Sequence, residues 1–420
     1  MDSYDGKEGF SMAGFVSKKG LEEKLKLNKN AKVLLLIGGL FTIANALSGT
    51  FVNIYLWKSR QDFVRIGLFN FYQFLFIPIA FIIGGRLSKI KNGTLSLRIG
   101  IILHGLFYLT ILIMGKEASQ YILILGILMG TAVGFYWVAS HTLIFDMTSR
   151  YNRDTFNSFN GMVSSLSGML APLASGYIIT AFANTIGYSI VFGISLGIFI
   201  LIAMISILLR THGSDSSFRL RNSFQGCSQP WKYILLAEIF FGIRNGVIMF
   251  LVGLLVYIVT KNEASIGKLS LLTSLISVSV FYILERILKP KLRILFFTAG
   301  AVMMFLAVLI LVVRIHFTTL LAFVILNTIF APFFAVPFDS AALNTIEKDD
   351  RKDLRIEYIV LREIALNIGR LIGTLAFILV VSRWKDPYIP RYFLLAIGAA
   401  HLVILSFLKK LDFDEKILCQ

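Results

Sequence analysis

The chain has 420 residues, of which 56% are hydrophobic and 15% charged, with a formal net charge of +17 and a mean hydropathy of +0.77. So much apolar surface excludes a water-soluble globular domain and marks an integral membrane protein. The basic excess does not indicate a nucleic-acid partner, because the Lys and Arg residues alternate between loops instead of gathering on one face.

A spanning helix takes about 20 residues. Apolar windows of that size centre near residues 44, 75, 105, 131, 169, 198, 245, 275, 303, 330, 369 and 400. The pattern predicts an all-α integral membrane protein with 12 transmembrane helices in two six-helix halves. Its parts are a tail over 1–32, a first half over 33–210, a central loop over 211–230, a second half over 231–409 and a tail over 410–420. The first thirty residues lack the apolar core of a cleavable signal, so helix one, about Val33 to Trp57, is expected to act as an uncleaved insertion signal. Arg86, Lys89, Lys91 and Arg98 follow helix two without an acid. Arg210, Arg219, Arg221 and Lys232 populate the central loop beside Asp215, and Arg286, Lys289, Lys291 and Arg293 follow helix eight. The opposite loops are near neutral, as at Lys116 and Glu117. Positive charge collects on the cytoplasmic side, so both termini are expected in the cytoplasm of a bacterium, the chain lying in its inner membrane. The same loops would attract anionic membrane lipid. Cys227 and Cys419, in the central loop and the last residues, give neither a disulfide framework nor a paired metal site.

Helix one carries a weak polar stripe of Asn45, Gly49 and Asn53, and helix two holds Asn70, Gln73 and Pro78. In helix four, Gly126, Gly130 and Gly134 recur every four residues, a close-packing face; Trp137, His141 and Asp146 follow. Asp146 is expected to pair with Arg150 or Arg153. Helix five runs through Gly161, Gly168, Pro172 and Gly176, with Asn157, Asn160, Ser164, Ser167 and Ser175 along it, and reads first as a packing element. Helix seven brings Glu238, Arg244 and Asn245 into an apolar run. Helix ten holds Asn327, Pro332, Pro337 and Asp339 and is expected to break or bend near its middle. His104, His141 and His401 read as packed or interfacial histidines, and no two of them have metal-ligand spacing.

Helix eleven stands apart from its apolar surroundings. Glu363, Asn367, Arg370 and Thr374 fall at i, i+4, i+7 and i+11, one stripe of a helix from about Ile356 to Val381. A charged residue at the centre of a lone spanning helix costs about 2.5–3.5 kcal/mol, so this stripe must face a protein interior or a wet cavity. Glu363 is the candidate to take up and release a proton; the alternative is a fixed ion pair with Arg370, Arg362 or Arg244. Two turns, about 10.5 Å of rise, separate Glu363 from Arg370, so their pairing requires both side chains to converge. Glu238 and Asp339 are further proton-coupling candidates, and Arg244, Asn245, Asn367, Arg370, Asn45 and Trp137 are cavity candidates.

Sliding the chain by 201 positions pairs Gly168 with Gly369, Pro172 with Gly373, Asp146 with Glu347 and Gly134 with Ala335, an internal repeat of helices four and five in ten and eleven. With this repeat, the helix count and the basic central loop, the chain resembles the major facilitator superfamily of secondary transporters over nearly its whole length. Gly168 to Gly176 resembles that family's helix-five motif ending Gly-Pro-x-x-Gly-Gly, with Ala and Ser at two of the glycines. The family's loop motif after helix two, Gly-x-x-x-Asp-Arg-x-Gly-Arg-Lys, is eroded here to Gly85-Arg-Leu-Ser-Lys89-Ile-Lys91. Its second-half copy is better kept in Glu285, Arg286 and Lys289. The resemblance implies a cavity lined by helices one, four, seven and ten, with three, six, nine and twelve outside; the outer four carry only His104 and His401 as notable polar residues.

The expected function is proton-coupled secondary transport of a small hydrophobic or amphipathic solute, or of a lipid-like one, by alternating access. The helix-five motif leans towards export. A transporter-fold accessory protein without transport activity, or a flippase of a lipid-linked substrate, are the alternatives. The sequence has no His-Glu-x-x-His, Gly-x-Ser-x-Gly or ATP-binding Gly-rich loop. It is therefore read as no enzyme, with no cofactor and no metal, driven by an ion gradient.

Overall fold

Short polar caps set where the helices begin. In the computed structural model, which describes residues 26–149, 152–182, 184–209, 218–225, 228–313, 315–347, 354–384 and 391–410, Asn28 Oδ1 accepts the amide of Ala31 at 2.7 Å. Asp62, Asn92 and Asn262 cap later helices in the same way, at 2.8, 2.9 and 2.8 Å. Each such cap is worth about 1 kcal/mol.

The helices are α1 (Lys29–Arg60), α2 (Phe63–Ile90), α3 (Gly93–Met114), α4 (Ile122–Met147), α5 (Arg153–Ala181), α6 (Ile186–Ser206), α7 (Gln229–Thr260), α8 (Glu263–Ile287), α9 (Arg293–Val313), α10 (Phe317–Glu347), α11 (Arg355–Arg383) and α12 (Arg391–Ala400). A short helix, Leu220–Gln225, precedes α7. A 3₁₀ helix, His401–Lys410, continues α12. The N-terminal tail before residue 26, most of the central loop with Cys227, and the last residues with Cys419 lie outside the described residues.

Among the described residues 11 helices are long and apolar enough to cross a bilayer, and a shorter apolar helix covers Phe393–Ser406. The twelfth helix thus differs from the full-length α-helix expected. At about 1.5 Å per residue for the α part and 2.0 Å for the 3₁₀ part, α12 and its continuation still reach roughly 35 Å, enough for a hydrocarbon core of about 30 Å. α10 runs as one helix through Pro332 and Pro337 instead of breaking. Arg98, expected in a loop, lies inside α3 and donates to the Ser206 carbonyl at the end of α6 at 3.0 Å.

The two halves begin alike. α1 and α7 are each 32 residues long. Each ends on a left-handed residue, Gln61 at φ 49° and Lys261 at φ 52°, followed by an Asx cap, Asp62 or Asn262. α1 and α7 start at the same end of the molecule, which also carries the described end of the chain; it is called the terminal end here, and the opposite one the far end.

Small residues fix the tightest crossings. A Cβ on Gly126 would stand 2.6 Å from Tyr72 Cβ, and one on Gly134 2.6 Å from the Ile77 carbonyl, so α4 lies directly on α2. On the other side of the molecule α7 and α11 meet through two glycine pairs, Gly242 with Gly246 and Gly369 with Gly373. A Cβ on Gly246 would come 2.6 Å from Arg370 Cα. Helices approach this closely where at least one of them lacks a side chain at the contact.

Between halves, α2 packs on α11 and α5 on α8. The α2–α11 seam is closed at both ends. Gly67 meets Phe377 and Ile378 at the far end, and Gly85 meets Val360 and Ile356 at the terminal end. The α5–α8 seam is closed only at the far end, where Gly176 lies against the backbone of Glu263 and Ala264, and Gly267 against Pro172 and Leu173. Towards the terminal end Gly168 has only Ser274 Oγ, at 3.9 Å, and Gly161 has no neighbour within 4 Å. Gly161 and Gly168 are therefore not packing residues; Pro172 and Gly176 are.

Candidate functional site

The close α7–α11 crossing places the polar residues of both helices in one layer within the second half. At mid-depth, about 22 Å along each helix from its terminal-end start, lie Arg244 on α7 and Arg370 on α11. Arg370 Nε donates to Asn245 Oδ1 at 3.0 Å and its Nη1 to Asn367 Oδ1 at 3.3 Å. Asn367 Nδ2 donates in turn to Glu363 Oε1 at 2.8 Å. Glu363 and Arg370 do converge, with Nη1 3.6 Å from Oε1. The stripe is thus a relay in which an amide lies between a carboxylate and a guanidinium. The Arg370 guanidinium also lies 5.4 Å from the ring centre of Phe74 on α2, so the relay touches the opposite half.

Two turns nearer the terminal end, Arg362 takes two carboxylates. Its Nε is paired with Glu238 of α7 and its Nη2 with Asp339 of α10. Glu238 is buried, whereas the Asp339 side chain is 54% exposed. Glu238 and Asp339 are therefore fixed by Arg362, a residue that sequence reasoning weighed only as a partner of Glu363. Arg244 is buried and donates to Asn327 Oδ1 of α10 at 2.5 Å. Its Nε has no hydrogen-bond partner, and no carboxylate pairs with it among the described residues. His141 of α4 lies within electrostatic reach of Glu363 and Arg362.

The other cavity candidates are more scattered. Trp137 is half exposed on α4, edge-on to Phe41 and Tyr136. Asn45 is exposed on α1, while Asn53 below it accepts from Asn70 Nδ2 of α2 at 2.8 Å. His104 and His401 are buried, each bonded to a backbone carbonyl, Gly100 at 2.8 Å and Ala301 at 2.9 Å. Asp146 is exposed without an ion pair among the described residues. Arg153 instead donates to Thr148 Oγ1 at 3.1 Å and lies over Phe145, and Arg150 lies outside the described residues.

The two copies of the loop motif exchange roles. Glu285 and Arg286, the better-kept copy, are exposed at the end of α8, and Arg286 turns back onto Tyr282 of its own helix. The eroded copy makes the bridge between halves: Lys89 Nζ lies 2.7 Å from Glu357 Oε1 of α11, their side chains 6% and 0% exposed. The amide of Arg219, within the central loop, donates to the same oxygen at 2.9 Å. At the far end Lys58 of α1 pairs with Glu263 of α8 at 2.9 Å, and Tyr188 of α6 donates to Glu263 at 2.8 Å. The signal for Glu357 was its place one turn into helix eleven, facing a basic loop. The signal for the α7–α11 crossing was the four-residue glycine spacing in both helices.

Two helical halves, joined along α2–α11 and α5–α8 and holding a polar layer at mid-depth, define the class of membrane transport proteins. The sequence profile of the Major Facilitator Superfamily matches residues 34–374, and the chain belongs to that family. It is 35% identical over 393 residues to the uncharacterised protein YqgE of Bacillus subtilis (strain 168), covering 93% of this chain and 91% of that one. It is 42% identical over 181 residues to an uncharacterised protein in the sodM 3′ region of Geobacillus stearothermophilus, covering 43% of this chain and 83% of that one. Among solved structures, a bacterial metal transporter superposes with a TM-score of 0.62 at 15% identity, over 92% of this chain and 99% of that one. That likeness is one of fold. The chain is a multi-pass membrane protein of a transporter family, not an enzyme.

Proposed function

We propose that the protein is a secondary active transporter. It moves a small amphipathic solute by alternating access between its two halves, with Glu363 as the proton-coupling residue. The observation that carries this reading is the Glu363–Asn367–Arg370 relay. It holds a carboxylate that is 24% exposed, ends at a guanidinium contact of 3.6 Å, and lies against the opposite half. Glu238 is a poorer proton site, being buried and fixed by Arg362. The halves meet along the whole α2–α11 seam but only at the far end of α5–α8, a shape that supports alternation between two openings. Trp137, exposed on α4 and backed by the buried rings of Phe41 and Tyr136, suits the apolar part of a solute. A metal cargo like that of the fold neighbour has less support: among the described residues no three His, Cys, Asp or Glu side chains converge as a cation site. A lipid-like solute is the second reading, favoured by the separation of α5 from α8 at the terminal end.

The test uses proteoliposomes loaded with a pH-sensitive dye and a panel of lipophilic and anionic solutes. One solute should drive proton movement with the parent protein and fail to do so with Glu363→Gln. If no solute moves protons with folded, reconstituted parent protein, coupling through Glu363 is wrong.

A further inference from the structure

Resting on that reading, we infer that the solute is an organic anion, a carboxylate or a phosphate, which competes with Glu363 for Arg370, so that proton and anion bind together. Three features of the relay carry this.

The first is unused donor capacity. Of the five N–H groups of Arg370, Nε serves Asn245 and one on Nη1 serves Asn367. Nη2 makes no hydrogen bond to any described residue, and the side chain is 16% exposed. The free Nη1–Nη2 edge is the fork that accepts a carboxylate or phosphate through two parallel bonds. The second is the weakness of the internal counter-ion. Arg370 has Glu363 at 3.6 Å, beyond hydrogen-bond distance, with Asn367 between them. Arg362, by contrast, already faces two carboxylates, Glu238 and Asp339, and has no positive charge left to offer an anion. The third is the charge of the surroundings. Besides Arg370 and Arg362 on its own helix, Glu363 faces Glu238 of α7, Asp339 of α10 through Arg362, and His141 of α4. Arg244, at the same depth as Arg370, has no carboxylate of its own among the described residues.

With Glu363 ionised, Arg370 is partly neutralised. When a proton from water binds the Glu363 carboxylate, that counter-ion is lost, and the guanidiniums of Arg244, Arg362 and Arg370 face only the carboxylates of Glu238 and Asp339, leaving the layer one uncompensated positive charge. An anion on Arg370 restores neutrality. The two ligands therefore favour each other by the same factor, a coupling that ranges from about fivefold to 150-fold. Ligands that bind together travel together, so an inward proton gradient moves the anion inward. Export, suggested by the likeness of the α5 run, would require the opposite linkage.

The experiment measures binding of phenyl phosphate, benzoate, neutral benzamide and cationic benzamidine to the purified full chain, at pH 5.5 and pH 8. Trp fluorescence and melting temperature are the readouts. An anionic probe should bind tighter at pH 5.5, by about fivefold or more. Glu363→Gln should bind it with the low-pH affinity at both values. Arg370→Gln should bind it at neither, and Arg370→Lys weakly. Preference for benzamide or benzamidine overturns the proposal. So does anion affinity that is independent of pH in the parent, absent in a folded Glu363→Gln protein at both pH values, or unchanged in a folded Arg370→Gln protein. Pairwise binding linkage is read without transport. Linkage without solute movement in vesicles would leave this inference standing and remove the transporter reading; transport of a neutral solute would do the reverse.

Discussion

Lys89→Met is the perturbation that most directly tests how the terminal end is held shut. The Lys89–Glu357 pair is 2.7 Å long and dry, with side-chain exposures of 6% and 0%. At an effective dielectric constant of about 20, two unit charges at that distance attract by roughly 6 kcal/mol. Desolvation offsets part of this. Removing one partner of such a pair costs about 3–5 kcal/mol, because a buried charge is left uncompensated. If the pair exists only while α2 and α11 are closed at this end, its loss shifts the balance between closed and open forms by roughly a hundredfold to several thousandfold. Accessibility of a cysteine at Val360, buried beside Gly85, reads that balance. In a protein whose Cys227 and Cys419 are replaced by serine, Val360→Cys should label slowly with a maleimide, and Lys89→Met should accelerate labelling by at least tenfold. The double variant Lys89→Met with Glu357→Gln leaves no charge and keeps an acceptor for the Arg219 amide. It should return to near the slow rate, as neutral replacements of buried pairs tend to. Equal rates in parent and single variant, or a double variant as fast as the single, would refute the reasoning.

Two further outcomes follow from the packing. Gly246→Ala places a methyl 2.6 Å from Arg370 Cα and should cost about 1–3 kcal/mol in detergent unfolding, whereas Gly161→Ala points into open space and should be neutral or stabilising by up to ~1 kcal/mol. Glu238→Gln, which removes the buried carboxylate from Arg362, should destabilise by about 2–4 kcal/mol, while Asp339→Asn, at a 54% exposed side chain, should cost under ~1 kcal/mol. Comparable losses from the two would mean that burial does not set the strength of this triad.

The fold was legible because hydrocarbon imposes a length and a polarity that a sequence cannot conceal: apolar windows, basic loops and glycine spacing are one-dimensional signals. The polar layer was legible as a set, since Glu238, Arg244, Glu363 and Arg370 stand out against apolar neighbours. Its pairing was not. Which carboxylates Arg362 takes depends on the rotation of α7 and α10 about their axes, which here turns Glu238 and Asp339 onto it. The inter-half bridge was missed for a different reason. The loop motif after helix two was read for the acid and arginine of its family pattern, whereas here Lys89 supplies the charge from one side and Glu357 from the other. Reading for complementary charge between α2 and α11 would have found it; reading for a pattern did not. The α12 ending was hidden because nothing in an apolar run distinguishes 3₁₀ from α winding.

The far-end bond between Lys58 and Glu263 carries a consequence for the surroundings of the molecule. Lys58 is 31% exposed, so that bond lies within reach of bulk ions, whereas the Lys89–Glu357 bond does not. Ions screen the first and leave the second nearly untouched; the Debye length shrinks from about 30 Å at 0.01 M to 8 Å at 0.15 M. Added salt on the far face of the membrane should therefore weaken the closure there, whereas the same salt on the terminal face should leave the Lys89–Glu357 bond almost unchanged.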